Sequence, residues 1–192
     1  YSQPDRIWNC GGEIAWYAAP RYLYRATLAS QAPQQGWVRV TFATGCALIV
    51  RCSALRATGL LTERFFHGEE DFELALRFRR QGRLMACCFG AIIYHKVNAT
   101  IRKTSGHSYL RQTYIHYLSR FIDMRTYWPR PIWQIWRWCY TVYVVFALWI
   151  RRRASLRSAM EMGVALLSNS AKLDRVDRHT FEQVLETNQW LS

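Results

Sequence analysis

The chain has 192 residues, 51% of them hydrophobic, with nine Trp, eleven Tyr and a net charge of +13. That apolar content excludes a predominantly disordered chain. Six cysteines without a CxxC pair argue against a disulfide scaffold or a thiolate metal site.

Residues 1–36, rich in Gly, Pro, Gln and Ala, read as loop with short strands. Residues 37–50, WVRVTFATGCALIV, read as a strand, a break at Thr44-Gly45 and a buried apolar run. A connector containing Gly59 follows, from Leu55 to Phe66. Glu69, Glu70 and Asp71 then stand where a helix N-terminus favours acids, Leu74 and Phe78 share a face, and Gly82 terminates the helix. LMACCF and AIIYH, split by Gly90, read as two further strands. Residues 96–108 read as polar loop, and Tyr109 to Arg125 resumes helical spacing.

From Arg102 to Arg157 eleven Lys and Arg meet a single acid, Asp123. Such a stretch attracts polyanions: nucleic acid, anionic lipid headgroups or diphosphates. The absence of a nucleic-acid recognition motif argues against the first. Within this stretch PIWQIWRWCYTVYVVFALWI, residues 131–150, is long enough to span hydrocarbon but is interrupted by Gln134 and Arg137. Arg137 stands close enough to the Pro131 end to snorkel. The uninterrupted part, Trp138 to Ile150, suits a helix lying at a membrane interface; a spanning helix and an ordinary buried helix are the alternatives. The tail beyond Arg157 has helical composition.

The ordered string TGCALIVR, TGLLTERFFHGEEDFELALRFRRQG and AIIYH resembles the rhamnosyltransferase-like members of glycosyltransferase family 2. The residues that carry it are Thr44-Gly45-Cys46, Arg51, Gly59, Glu63, Phe65-Phe66, Glu70-Asp71, Leu74, Arg77, Gly82 and His95, with Ile7 to Ile14 upstream. Departures are Glu73 in place of a second Asp, Thr62-Glu63 in place of Asp-Glu, and Leu118-Ser119-Arg120 where an Arg-Asn pair is usual. The resemblance implies an α/β fold, the C-terminal part of a GT-A, Rossmann-like transferase with a mixed sheet. It assigns residues 1–125 to the acceptor side of the catalytic domain and leaves 126–192 as a basic, aromatic, membrane-associated helical tail. The donor-binding half and its DxD metal motif are absent from this chain, so the portion alone is expected to be inactive.

Sugar transfer requires a base for the acceptor hydroxyl and a counter-charge for the departing diphosphate. The resemblance implies that Asp71 is the base, that Glu70 shapes the site, and that His95, closing a strand, faces a divalent cation, Mg2+ or Mn2+. Gly45, Arg77 and Trp8 are expected at the substrate: Gly45 because a turn beside a sugar leaves little room for a Cβ, and Trp8 by stacking on a sugar ring or packing in the core. Arg77 either reaches a phosphate or pairs with neighbouring acids. The expected partners are a nucleotide-diphosphate sugar, a lipid-linked or polysaccharide acceptor and an anionic membrane surface on the cytoplasmic side. A peripheral membrane-binding module without catalysis is the alternative; it leaves the Gly45–His95 pattern without a purpose.

Overall fold

Apolar runs broken by glycine and proline give this chain short strands, and its longer periodic segments give helices. The computed structural model describes residues 4–95, 109–151, 153–186 and 190. The expected polar loop at 96–108 lies outside the described residues. Two compact units are present, one of Tyr1–Thr62 with Glu70–Thr100, the other of Glu63–Glu69 with Ile101–Ser192. The helix containing residue 125 packs within the second unit.

In the first unit β1 (Gly12–Ile14) pairs antiparallel with β2 (Pro20–Tyr22), and β3 (Trp37–Val40) with β4 (Met85–Cys88). The registers set Gly12 opposite Tyr22 and Trp37 opposite Cys88. Gly12 also exchanges backbone hydrogen bonds with Phe42, donating at 2.8 Å and accepting at 3.0 Å. A Cβ at Gly12 would stand 2.5 Å from the Arg21 carbonyl oxygen, so this close approach of strands requires glycine. Helix α1 (Cys52–Thr58) closes on Gly59, whose φ of 98° lets its N–H reach the Arg56 and Leu55 carbonyls. Helix α2 (Glu70–Arg80) has acids in its first turn and arginines in its last, matching the helix dipole at both ends. It buries Phe72, Leu74, Ala75, Leu76 and Phe78 and ends as expected at Gly82, φ 65°.

The mixed protein is mostly helical, and no Rossmann-like parallel sheet is seen among the described residues. Both sheets are two-stranded and antiparallel, with strands of three or four residues. An expected buried run and an expected strand are also missing. Residues 47–50 leave a 3-10 turn without joining a ladder, and Ile49 is 101% exposed rather than buried. Residues 91–95 run outside any strand, with Ile92, Ile93 and Tyr94 exposed. A run of β-branched residues becomes a strand when a neighbouring strand satisfies its N–H and C=O groups, and among the described residues no ladder reaches either segment.

The second unit contains α3 (Tyr109–Tyr127), α4 (Arg130–Ile150), α5 (Leu156–Lys172) and α6 (Arg178–Glu186). Pro131 sits in the first turn of α4, where a missing N–H costs nothing. Ser155 caps α5 by accepting from Ser158 N–H, and Asp177 caps α6 by accepting from Thr180 N–H at 2.9 Å. Tyr114, Leu118, Phe121 and Ile122 of α3 form the middle of the core with Trp133 and Val144 of α4 and Met162 and Leu166 of α5. Gly163 lets α5 approach α4: a Cβ there would meet Val145 at 2.8 Å.

Three arginines of this unit turn inward. Arg120 pairs with Glu69, the two side chains 5% and 0% exposed. Arg125 donates to the Ser170, Ala171 and Leu173 carbonyls, satisfying the C-terminal end of α5. Arg137, expected to snorkel outward, is buried instead: it donates to the Leu167 carbonyl, to Ser170 Oγ and to Gln134 Oε1, and its guanidinium lies 4.3 Å from the centre of the Trp133 ring. Among the described residues no helix is long and apolar enough to cross a membrane, which sets aside the spanning alternative for 131–150.

Two measurements check this packing. Arg120→Ala strands the Glu69 carboxylate away from water and is expected to lower stability by about 3–5 kcal/mol in urea unfolding. The Asp177 carboxyl is held below its ordinary value, chiefly by the Thr180 backbone N–H. Its cap therefore contributes fully above the unfolded value near ~4 and is lost as pH falls through the lower folded value. Asp177→Ala should cost about 0.5–1 kcal/mol at neutral pH and flatten that part of the acid-unfolding profile.

Candidate active site

Four acids open or precede α2, and their surroundings sort them. Glu69 belongs to the buried pair with Arg120 in the helical unit. Glu73 is buried and accepts from Arg77 Nε on both oxygens at 2.8 Å. Glu70 and Asp71, between them in sequence, are the two that stand half-buried at the start of α2.

Asp71 is fixed by a distant backbone group. Gly45 begins a 3-10 turn, Gly45–Ala47, and its N–H donates to Asp71 Oδ2 at 2.9 Å. The turn and the helix N-terminus, separated by 26 residues, thus meet at one carboxylate. The expected steric reason for glycine is not met. A Cβ on Gly45 would lie 3.6 Å from Asp71 Cβ and 3.7 Å from Oδ2, ordinary contact distances, and Gly45 is not among the left-handed residues. The position supplies an N–H, which other residues carry as well.

Arg77 is engaged within its own unit. Besides Glu73, its guanidinium donates to the Thr58 and Leu60 carbonyls, both at 2.6 Å. These bonds tie the end of α1 and the turn beyond Gly59 to α2, the structural one of the two roles its sequence position allowed.

His95 does not close a strand, since residues 91–95 form none. Its ring lies 5.0 Å from that of Trp8, and its Nδ1 is buried with no hydrogen-bond partner among the described residues. Trp8, 38% exposed, leads through Tyr22 and Phe42 to Phe72, with successive ring centres about 6 Å apart. This run of rings links the His95 side of the unit to the residue that follows Asp71. Tyr22 and Phe42 gave no signal in the sequence, since neither falls in a motif and each is placed by strand pairing. Among the described residues no group of three or more His, Cys, Asp or Glu could hold a metal ion.

Compared with known proteins, the chain matches no protein family, no curated protein and no solved structure. The site must be argued from its own chemistry. A carboxylate oriented by a backbone amide at a helix N-terminus is suited to accept a proton from a hydroxyl brought to it.

Substitutions separate the two kinds of position. Gly45→Ala is expected to leave the fold intact and to raise stability by about 0.4–1 kcal/mol, because alanine keeps the N–H and narrows the unfolded ensemble. Arg77→Ala deprives Glu73 and two carbonyls of donors and should lower stability by about 1–3 kcal/mol. Denaturant midpoints of the two variants report both effects.

Proposed function

We propose that the chain is the acceptor-side part of an inverting glycosyltransferase, with Asp71 as the base that takes the proton from an acceptor hydroxyl. The single observation that carries this reading is the Gly45–Asp71 hydrogen bond. It brings the Thr44-Gly45-Cys46 turn and the Glu70-Asp71 pair, two separate parts of the family 2 pattern, to one carboxylate. The finer fold, a GT-A transferase domain whose donor-binding part lies outside these residues, belongs to the same proposal. So do a nucleotide-diphosphate sugar as donor and a lipid-linked or polysaccharide hydroxyl as acceptor.

In this reading the Gly45 N–H holds the Asp71 carboxylate in one orientation, which removes the cost of aligning the base at the moment of attack. As the acceptor oxygen bonds to the anomeric carbon from the face opposite the leaving diphosphate, its proton passes to Asp71. The helix dipole favours negative charge at the N-terminus of α2, where Glu70 adds a second carboxylate. Arg77, through Glu73 and the carbonyls beyond α1, keeps α2 in place beneath the site. Trp8, exposed beside His95, offers an aromatic face to a sugar ring. No step is routed through a metal ion.

Asp71→Asn tests the role with little disturbance, because the amide oxygen still accepts from Gly45 N–H while the basicity is gone. In the protein encoded by the whole reading frame, diphosphate release from a panel of nucleotide sugars is measured with membrane lipid extract or polysaccharide as acceptor. The variant should lose about 10²–10⁴ in turnover. Equal turnover by the variant, or no transfer from any donor by the parent, sinks the reading.

A further inference from the structure

Helix α4 is apolar on its outward side as well as on the side it buries. Its inward side carries Arg137 and Thr141 beside Trp133 and Val144, and both polar side chains find partners within the unit. Its outward side presents Ile132, Ile135, Trp138, Val142, Phe146 and Trp149, with Ile135 68% and Trp138 57% exposed. At about 100° per residue these six lie within an arc of roughly 120° that runs the length of the helix, some 30 Å. No charged side chain interrupts that arc: Arg137, the one charged residue between Arg130 and Arg151, points inward. A face of this size exceeds the scattered apolar residues normal on a protein surface and marks an interaction site.

Charge decides what covers it. Between Arg125 and Arg157 the sequence has seven arginines and no acid. Arg130 stands exposed at one end of the face, and Arg151 and Arg153 at the other. A second copy of the chain would bring these like charges together: parallel helices oppose the two C-terminal clusters, and antiparallel helices set Arg130 against Arg151. A bilayer containing anionic lipid offers the complementary sign around an apolar interior. Indole side chains at Trp138 and Trp149 favour that boundary, and no described helix can cross it.

We infer that α4 docks on an anionic lipid bilayer, lying along the headgroup boundary with its Ile135–Trp149 face in the acyl region and its terminal arginines on lipid phosphates. This surface is independent of the transferase reading, and vesicle binding can succeed where transfer fails.

The test is flotation of the full chain with vesicles of phosphatidylcholine alone and of phosphatidylcholine with about one-third phosphatidylglycerol, at low and high salt. The parent should float with the anionic vesicles and much less with the neutral ones. Trp138→Glu with Phe146→Glu should reduce the bound fraction at least about tenfold, and the milder Ile135→Ser with Val142→Ser should reduce it several-fold. Arg151→Gln with Arg153→Gln should weaken binding to anionic vesicles and blunt its salt dependence. Circular dichroism and thermal melting of each variant report whether α4 remains folded, so that the milder pair decides the matter where the glutamates unfold it. Failure of the parent to float at low salt overturns the inference, as does undiminished flotation of folded variants. Sedimentation showing a parent dimer that these variants dissociate, without lipid binding, assigns the face to a second copy instead and overturns it equally.

Discussion

A guanidinium group removed from water must find acceptors, and both units are organised around that requirement. In the helical unit Arg120 takes the Glu69 carboxylate, Arg125 takes the carbonyls at the end of α5, and Arg137 takes the Leu167 carbonyl and Ser170. In the strand-containing unit Arg77 takes Glu73 and the carbonyls of Thr58 and Leu60. Each of these contacts fixes the rotation of a helix about its own axis. Once Arg137 faces inward, the 3.6-residue period carries Ile135, Trp138, Val142 and Phe146 outward. The unusual surface of α4 is thus a consequence of where its one internal charge is satisfied.

The same requirement sorts the acids of the candidate site. A cluster of four carboxylates within five residues offers many assignments on paper. Arginine partners remove the outer two, Glu69 and Glu73, from consideration as chemical groups. Glu70 and Asp71 remain at the helix start, and Asp71 is the one oriented by a backbone N–H from a distant turn. A rigidly held carboxylate with a helix dipole behind it is a sound arrangement for proton transfer. It also explains why Gly45 matters through its amide and not through the absence of a side chain.

A basic sequence is not automatically a basic surface. Arg111 adds a fourth inward-bonded arginine to the helical unit by donating to the Val184 carbonyl. Among the described residues, the stretch that seemed uniformly cationic therefore divides into internal braces and exposed arginines, Arg130, Arg151 and Arg153 at the two ends of α4 and Arg157 in α5. That division sharpens the expected partner from polyanions in general to an apolar layer edged by negative charge.

The sequence by itself determined the longer helices, but not α1 (Cys52–Thr58), which runs into the stretch read as a connector. Acids before an apolar-periodic run and a glycine after it placed α2 between Glu70 and Arg80, and helical spacing placed α3 and α4 and foreshadowed the two that follow. These signals are local, carried by neighbours three and four residues apart. It also singled out the Glu70-Asp71 pair and the Gly45 turn, as types of residue in an order. What the tertiary structure alone decided was everything that depends on partners far along the chain: the meeting of Gly45 with Asp71, the pairing of Glu69 with Arg120, the inward turn of Arg137, the exposure of residues 47–50 and the failure of 91–95 to become a strand. A helix closes its own hydrogen bonds, whereas a strand, a buried charge and an oriented carboxylate each need a group supplied from elsewhere, and local spacing does not record which one arrives.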